Sequence, residues 1–343
     1  MVDEIVNIEN TIQGEVCFSS AICQTLFNYG ILLSEEVLFG LGIGLQFRFN
    51  VKDDKTGVCI DCMNLLSDFN SIRQFLNSIG VDISFCSFTN TEKFREQLIN
   101  IKKEKNFFIV AVDSYNLKYS PTYLKKHDAH VLVGQVKDTD VLIQDNYVYT
   151  LIPSKRICLV GFEEFIKICD LSSLESPYNH MFWTFDIKHN TNIHLDLKYI
   201  DNCIYKSGLQ MMGKVYEDSM WQGIDGLTKF NEYVLNLMGN RDDSIWKDFK
   251  ELNEKISARG GLYQSRKLFS KFMNWLHINY DLPFLSLSED YNLLSHKWKV
   301  FSTMLLKASI RKNSDDFDLM KQRLAENIEM EKKHITKLIN ERS

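Results

Sequence analysis

Apolar residues change their spacing partway along this chain. Up to about Asp186, strand-length runs rich in Val, Ile and Phe recur at 107–112 (FFIVAV), 131–134, 141–144, 157–160 and 181–187 (MFWTFDI), bounded by turn residues and mixed with helical stretches. From about Thr191 no comparable run appears. Apolar residues there fall at three- and four-residue steps, as in Phe317, Met320, Leu324, Ile328, Ile335 and Leu338, which places them on one helical face. Strands in one part of a chain and helices in another predict an α+β fold. The expected division is an N-terminal domain over 1–188 built on an antiparallel sheet and an all-α domain over 192–343, parted by the polar stretch His189-Asn190-Thr191-Asn192. Four prolines in 343 residues leave long helices uninterrupted, and a chain of this length can bury a sizeable core without metals or disulfides.

Formal charge and apolar run length narrow the class further. A net charge of −5 argues against a general nucleic-acid binder, because phosphate neutralisation calls for a basic face. Residues 1–16 are acidic and mixed rather than a basic stretch leading into an apolar one, so a secretory signal is not expected. No run approaches the roughly 20 apolar residues a membrane span needs. The expected location is cytoplasmic, without a membrane partner, and the eight cysteines are then free thiols.

One cysteine has a setting that suits a nucleophile. In the segment from Val16 to Gly30 (VCFSSAICQTLFNYG), Phe18, Ile22, Leu26 and Tyr29 recur at helical spacing and Gly30 falls where helices commonly end. Cys17 therefore lies at or just before the first turn, where unpaired N–H groups and the helix dipole favour a thiolate. A buried cysteine near a helix start is the plainer reading unless a base accompanies it.

The base is sought in the stretch from His127 to Asp145 (HDAHVLVGQVKDTDVLIQD), in which two β runs flank the polar turn KDTD and predict an antiparallel hairpin. Symmetric closure pairs Val136 with Val141 and sets Asp145 opposite Leu132. His130 shares a face with Leu132, so His130 and Asp145 become diagonal neighbours, with Cβ atoms up to about 7–8 Å apart. A slip of one residue would put them on opposite faces. Cysteine at a helix start, histidine at a strand start and an acid on the next strand have the parts and chain order of a papain-like triad. In it His130 takes the thiol proton of Cys17 and Asp145 fixes the imidazole tautomer. His127 is the alternative base, although the same alternation turns it away from Asp145. The oxyanion would be held by the Cys17 N–H and a second donor, for which Gln13 is the candidate and a plain surface glutamine the competing reading.

Further stretches resemble a known family. Ser34-Glu35-Glu36-Val37-Leu38-Phe39-Gly40-Leu41-Gly42-Ile43-Gly44-Leu45-Gln46-Phe47 is similar to the "SE…FGLG.GL.F" signature of the family named after the butirosin-biosynthesis H protein. Val110-Ala111-Val112-Asp113-Ser114-Tyr115-Asn116-Leu117-Lys118-Tyr119 looks like its next block, a strand followed by "D…L.Y", and the HVLVGQ hairpin follows. The segments 223–227 (GIDGL) and 259–266 (RGGLYQSR), with Phe269 and Phe272, look like the helical domain that accompanies this N-terminal domain in many members. Members often carry histidine immediately before the nucleophile, whereas Val16 stands here, so the base role falls to His130.

The resemblance implies a papain-like fold diverted from proteolysis. It implies an acyl group passed from a carrier-protein thioester, through a Cys17 thioester, to an amine, with no bound cofactor or metal. The implied partners are an acyl or peptidyl carrier protein, whose phosphopantetheine arm delivers the acyl group, and a small amine or diamine acceptor. The helical domain would bind acceptor or carrier or make a homodimer. A narrower likeness is to cysteine enzymes of nonribosomal thioamide-antibiotic (closthioamide-type) assembly. A papain-like hydrolase, peptidase or thioesterase, and a non-catalytic binding module remain the rival classes.

Other features point to packing. Gly40-Leu41-Gly42-Ile43-Gly44 lacks the Lys-Ser/Thr of a phosphate loop and the third glycine of a dinucleotide fingerprint, so a turn or close contact is expected. Cys59-Ile60-Asp61-Cys62 is a lone CxxC with neither a second pair nor histidines at zinc spacing.

Overall fold

The computed structural model of the protein describes residues 12–51, 58–63, 68–104, 106–148, 154–174, 180–187, 195–213, 220–239, 243–257 and 260–340; the expected boundary at 189–192 and most of the first sixteen residues lie outside these. In chain order the elements are helix α1 (Cys17–Asn28), the short helix α2 (Glu35–Leu38) continuing into a π-helical turn (Phe39–Ile43), strands β1 (Arg48–Val51) and β2 (Val58–Asp61), helix α3 (Phe69–Ser78), strand β3 (Val81–Phe88) and helix α4 (Thr91–Glu104). Then come β4 (Phe107–Asp113), β5 (Ala129–Val136), β6 (Asp140–Val148), β7 (Ser154–Gly161), helix α5 (Phe162–Ile168) and β8 (His180–Ile187). The remainder is α6 (Leu197–Met211), β9 (Trp221–Gln222), α7 (Gly223–Gly239), α8 (Ile245–Ser257), α9 (Leu262–Tyr280), α10 (Leu285–Arg311) and α11 (Phe317–Asn340).

The chain forms an α+β protein of two compact units, Met1–Glu35 with Arg73–His194 and Glu36–Ile72 with Leu195–Ser343. The later division point follows His194. Residues 36–72, expected in the first domain, join the second unit instead. The cause lies in their packing: β1 pairs with β9 (Arg48↔Gln222), and Gly40 lies so close to the Phe272 ring that a Cβ there would come within 2.2 Å of it. The glycine-rich turn is thus a close-contact device, as expected. No Pro- or Gly-rich linker marks either end of this segment, so composition gave no sign of the excursion.

The first unit is built on an antiparallel six-stranded sheet in the order β3-β8-β4-β5-β6-β7. All five predicted apolar runs are strands of it. β3 was missed because its partners and partial exposure, rather than an unbroken apolar run, make it a strand: only Val81 and Ile83 of its eight residues are buried. Strand alternation separates two cores. Val110, Val112, Leu132, Val136, Val141 and Ile143 face Phe94 and Leu98 of α4 and Phe165 of α5. On the other face α1 packs over β4, β5 and β6, with the Phe18 and Trp183 ring centroids 5.4 Å apart. Helix α1 is buried from Phe18 to Leu26.

The second unit is mainly helical, with α10 packed on α8, α9 and α11, and carries the three-stranded sheet β2-β1-β9. The C-terminal stripe Met320, Leu324, Ile328, Ile335 and Leu338 is buried within it. Its centre holds an ion pair with no solvent exposure, Arg266 Nε to Glu331 Oε1 at 2.8 Å. Arg266 also donates to the Gln46 carbonyl at 2.9 Å, and the Trp298 indole to Glu331 at 2.9 Å.

Candidate active site

Helix α1 begins after Val16, whose backbone is extended (φ −141°, ψ 136°), so Cys17 is the first helical residue. The first intrahelical bond runs from Ser20 N–H to the Val16 carbonyl at 3.1 Å. The N–H groups of Cys17, Phe18 and Ser19 precede it and have no intrahelical acceptor. They supply the partial positive charge that favours an anion at this end. Cys17 is partly exposed, whereas Cys23, two turns on, is buried.

The β5–β6 hairpin closes with Val136↔Val141, Gln135↔Leu142, Gly134↔Ile143 and Val133↔Gln144, the register that puts His130 and Asp145 on one face. Their side chains meet: His130 Nε2 lies 2.9 Å from each carboxylate oxygen. Asp145 is 1% exposed. An ionised carboxylate only accepts, so Nε2 carries the proton and Nδ1 is left as the basic nitrogen. His130 also shares a side-chain hydrogen bond with Cys17. Burial disfavours the imidazolium, yet the Asp145 charge and hydrogen bond, with a further contribution from Cys17, outweigh it and hold the His130 pKa well above 6.5. Cys17, His130 and Asp145 are therefore brought together.

Two more groups serve Asp145. The Tyr119 hydroxyl donates to Oδ2 at 3.0 Å and the Tyr147 N–H to Oδ1 at 3.1 Å. Burial and the neighbouring carboxylate push the Tyr119 phenol well above its ordinary value, so it stays a donor. Sequence reasoning quoted Tyr119 as the last residue of "D…L.Y" without giving it a role; that motif was the available signal.

The turn leading into Cys17 is pinned from three sides. Gly14 N–H donates to the Asn146 carbonyl at 2.9 Å, and a Cβ at Gly14 would come within 2.1 Å of Ser20 Cβ. Gln24 accepts from Ile12 N–H at 2.8 Å and from the Asn146 amide at 2.9 Å. Glu35 accepts from Glu15 N–H at 2.8 Å, Val16 N–H at 3.0 Å and the Ser19 hydroxyl at 2.5 Å. Burial pushes the Glu35 carboxyl up to about 7, against its three donors and with the like charge of Glu15 adding to the rise. Gln13 is exposed, and its amide nitrogen lies 3.4 Å from the carbonyls of Gly14 and Asn146.

His127 is engaged elsewhere. Its Nδ1 lies 2.5 Å from Asp113 Oδ2 and its ring stacks on Tyr115, with centroids 4.2 Å apart. Asp113 is itself buried and accepts from Tyr115 N–H at 3.0 Å. Of the CxxC pair, Cys62 is buried, and that burial pushes its thiol up to about 12, which suits a packed thiol better than a ligand or nucleophile. Among the described residues no helix is long and apolar enough to cross a membrane.

Fold and site together define an α+β protein with a cysteine, histidine and aspartate assembled at the start of a buried helix. Residues 16–146 match the family model described as Butirosin biosynthesis protein H, N-terminal. The matched region runs from the residue before Cys17 to the residue after Asp145, so this part of the chain is similar to that family. No curated protein is significantly similar to the chain.

Proposed function

We propose that the protein is a cysteine-dependent acyltransferase of antibiotic or related specialised-metabolite biosynthesis, which forms an amide by way of a Cys17 acyl-enzyme. The observation that carries this reading is the His130 imidazole held by the buried Asp145 carboxylate on Nε2 and hydrogen-bonded to Cys17. Nδ1 takes the thiol proton, and Sγ attacks the carbonyl carbon of an acyl thioester. Negative charge on the carbonyl oxygen is met by the Cys17 N–H at the helix start, with Gln13 the proposed second donor. Collapse of the tetrahedral adduct expels the donor thiol, which leaves with the proton from His130. A neutral amine then attacks the acyl-Cys17 carbonyl, His130 accepts its proton, and the Cys17 thiol is restored as the amide departs.

A papain-like arrangement, a donor thioester on the phosphopantetheine arm of a carrier protein and a small amine acceptor complete the proposal, with the matched family region in support. Thioester exchange at cysteine is nearly neutral in free energy, so acceptor positioning decides between amide and acid. The test is intact-protein mass spectrometry after incubation with acyl thioesters, followed by addition of amines. An adduct on Cys17 that is absent in Cys17→Ala, and that an amine converts to amide, is expected. Free acid alone at every amine concentration would make the protein a hydrolase, and turnover by Cys17→Ala equal to wild type would remove every catalytic reading.

A further inference from the structure

Helix α1 starts without a conventional cap. Its N-cap residue is Val16, which has no side-chain oxygen, although Ser, Thr, Asp or Asn is favoured at that place. The acceptor comes instead from Glu35, in the signature segment Ser34-Glu35-Glu36 to which the proposed chemistry assigns nothing. Of the two adjacent acids Glu35 is buried and Glu36 is not.

The donors it engages are informative. A conventional cap oxygen at position 16 would take the N–H of Phe18 or Ser19, the second or third helical residue. Glu35 takes the N–H groups of Glu15 and Val16, before the helix, and in the first turn only the Ser19 hydroxyl. The turn is fixed while the N–H groups of Cys17 and Phe18 are left for an anion at Cys17. Building on the Cys17 reading, we infer that Glu35 is the positioning residue of the nucleophile: its carboxylate clamps the Glu15–Val16 turn from outside the helix, so that the sulfur and the first-turn N–H groups face the reacting carbonyl together.

The test compares wild type with Glu35→Gln, which keeps the shape but turns an NH2 group toward the Glu15 N–H or the Val16 N–H. The first readout is the rate of Cys17 alkylation by iodoacetamide across pH, followed by peptide mass spectrometry with Cys17→Ala as the blank. The second is the kcat and KM of acyl transfer from a model thioester. In folded Glu35→Gln, judged by circular dichroism, alkylation and kcat are expected to fall together by about 10- to 100-fold with KM for the amine unchanged, the size of loss a misplacement near 1 Å produces. Wild-type rates in the folded variant would overturn the inference. Should Glu35→Gln not fold, Ser19→Ala removes one of the three donors: slower Cys17 alkylation supports the clamp, and an unchanged rate overturns it. If wild type is never acylated by a thioester, the acyltransferase reading fails while the alkylation comparison still decides the role of Glu35.

Discussion

Asp145 is where the chemistry of single residues concentrates. It accepts from His130, Tyr119 and Tyr147 at almost no exposure, so its charge is satisfied by designated donors rather than by water. Asp145→Asn is expected to slow acylation of Cys17 by about 10²- to 10⁴-fold, since the amide can hold the imidazole in the wrong tautomer; single-turnover mass spectrometry measures it. Tyr119→Phe leaves the other two donors and is expected to cost about 1 kcal/mol, or roughly fivefold in the same assay. The closeness of Cys17, His130 and Asp145 was legible because a period-two register and a helix start are local properties of sequence. Tyr119 and Glu35 were not. Tyr119 reaches Asp145 only after the 114–128 excursion returns its ring to the sheet, and Glu35 acts on backbone N–H groups some twenty residues away, for which no side-chain pattern exists. His127 lies ahead of β5, outside any strand alternation, and its partner Asp113 could not be named without the fold.

At the scale of elements, the burial of the Glu35 carboxyl against the start of α1 should make stability depend on pH. The folded pKa of Glu35 is raised from 4.5 to about 7, so its contribution to stability is complete below about 4.5 and is lost as pH rises through about 7. A shift of this size corresponds to roughly 3 kcal/mol. Thermal melts of Glu35→Gln are expected to lose that decline between about pH 5 and 7. The His130 contribution lies higher, complete below about 6.5 and lost as pH rises through its raised folded value, so the two windows separate. Strands with continuous apolar runs were legible; β1, β2 and β9 were not. β9 has two residues, too few for any period, and β2 (VCID) drew attention as a cysteine motif rather than as a strand paired with β1.

Over the whole molecule, the helical unit contains a charged pair with no solvent exposure, Arg266 with Glu331. Glu331→Ala would leave Arg266, with no exposure, buried beside an absent counter-charge and would free the Trp298 indole as well. A loss of about 3–5 kcal/mol and a fall in melting temperature of roughly 10 °C are expected by calorimetry. The α+β class could be read from the change in periodicity. The return of 36–72 to the second unit could not, because its partners are far along the chain. A fragment ending near residue 188 is accordingly expected to expose Phe39, Phe47 and Phe49, all buried in the full chain, and to bind a hydrophobic dye more strongly than the whole protein does.

The discontinuous first unit also has a history in time. During synthesis α1 emerges early, but the histidine and aspartate it serves follow only after more than a hundred further residues. Between them the ribosome releases an apolar segment whose own partners extend to α9. At about 5–20 residues per second, that segment waits on the order of ten seconds or more for company. Phe39, Phe47 and Phe49 therefore stay open to chaperones until α9 is made, and slowed translation between residues 72 and 280 should lower the yield of folded protein even though the matched family region ends at residue 146.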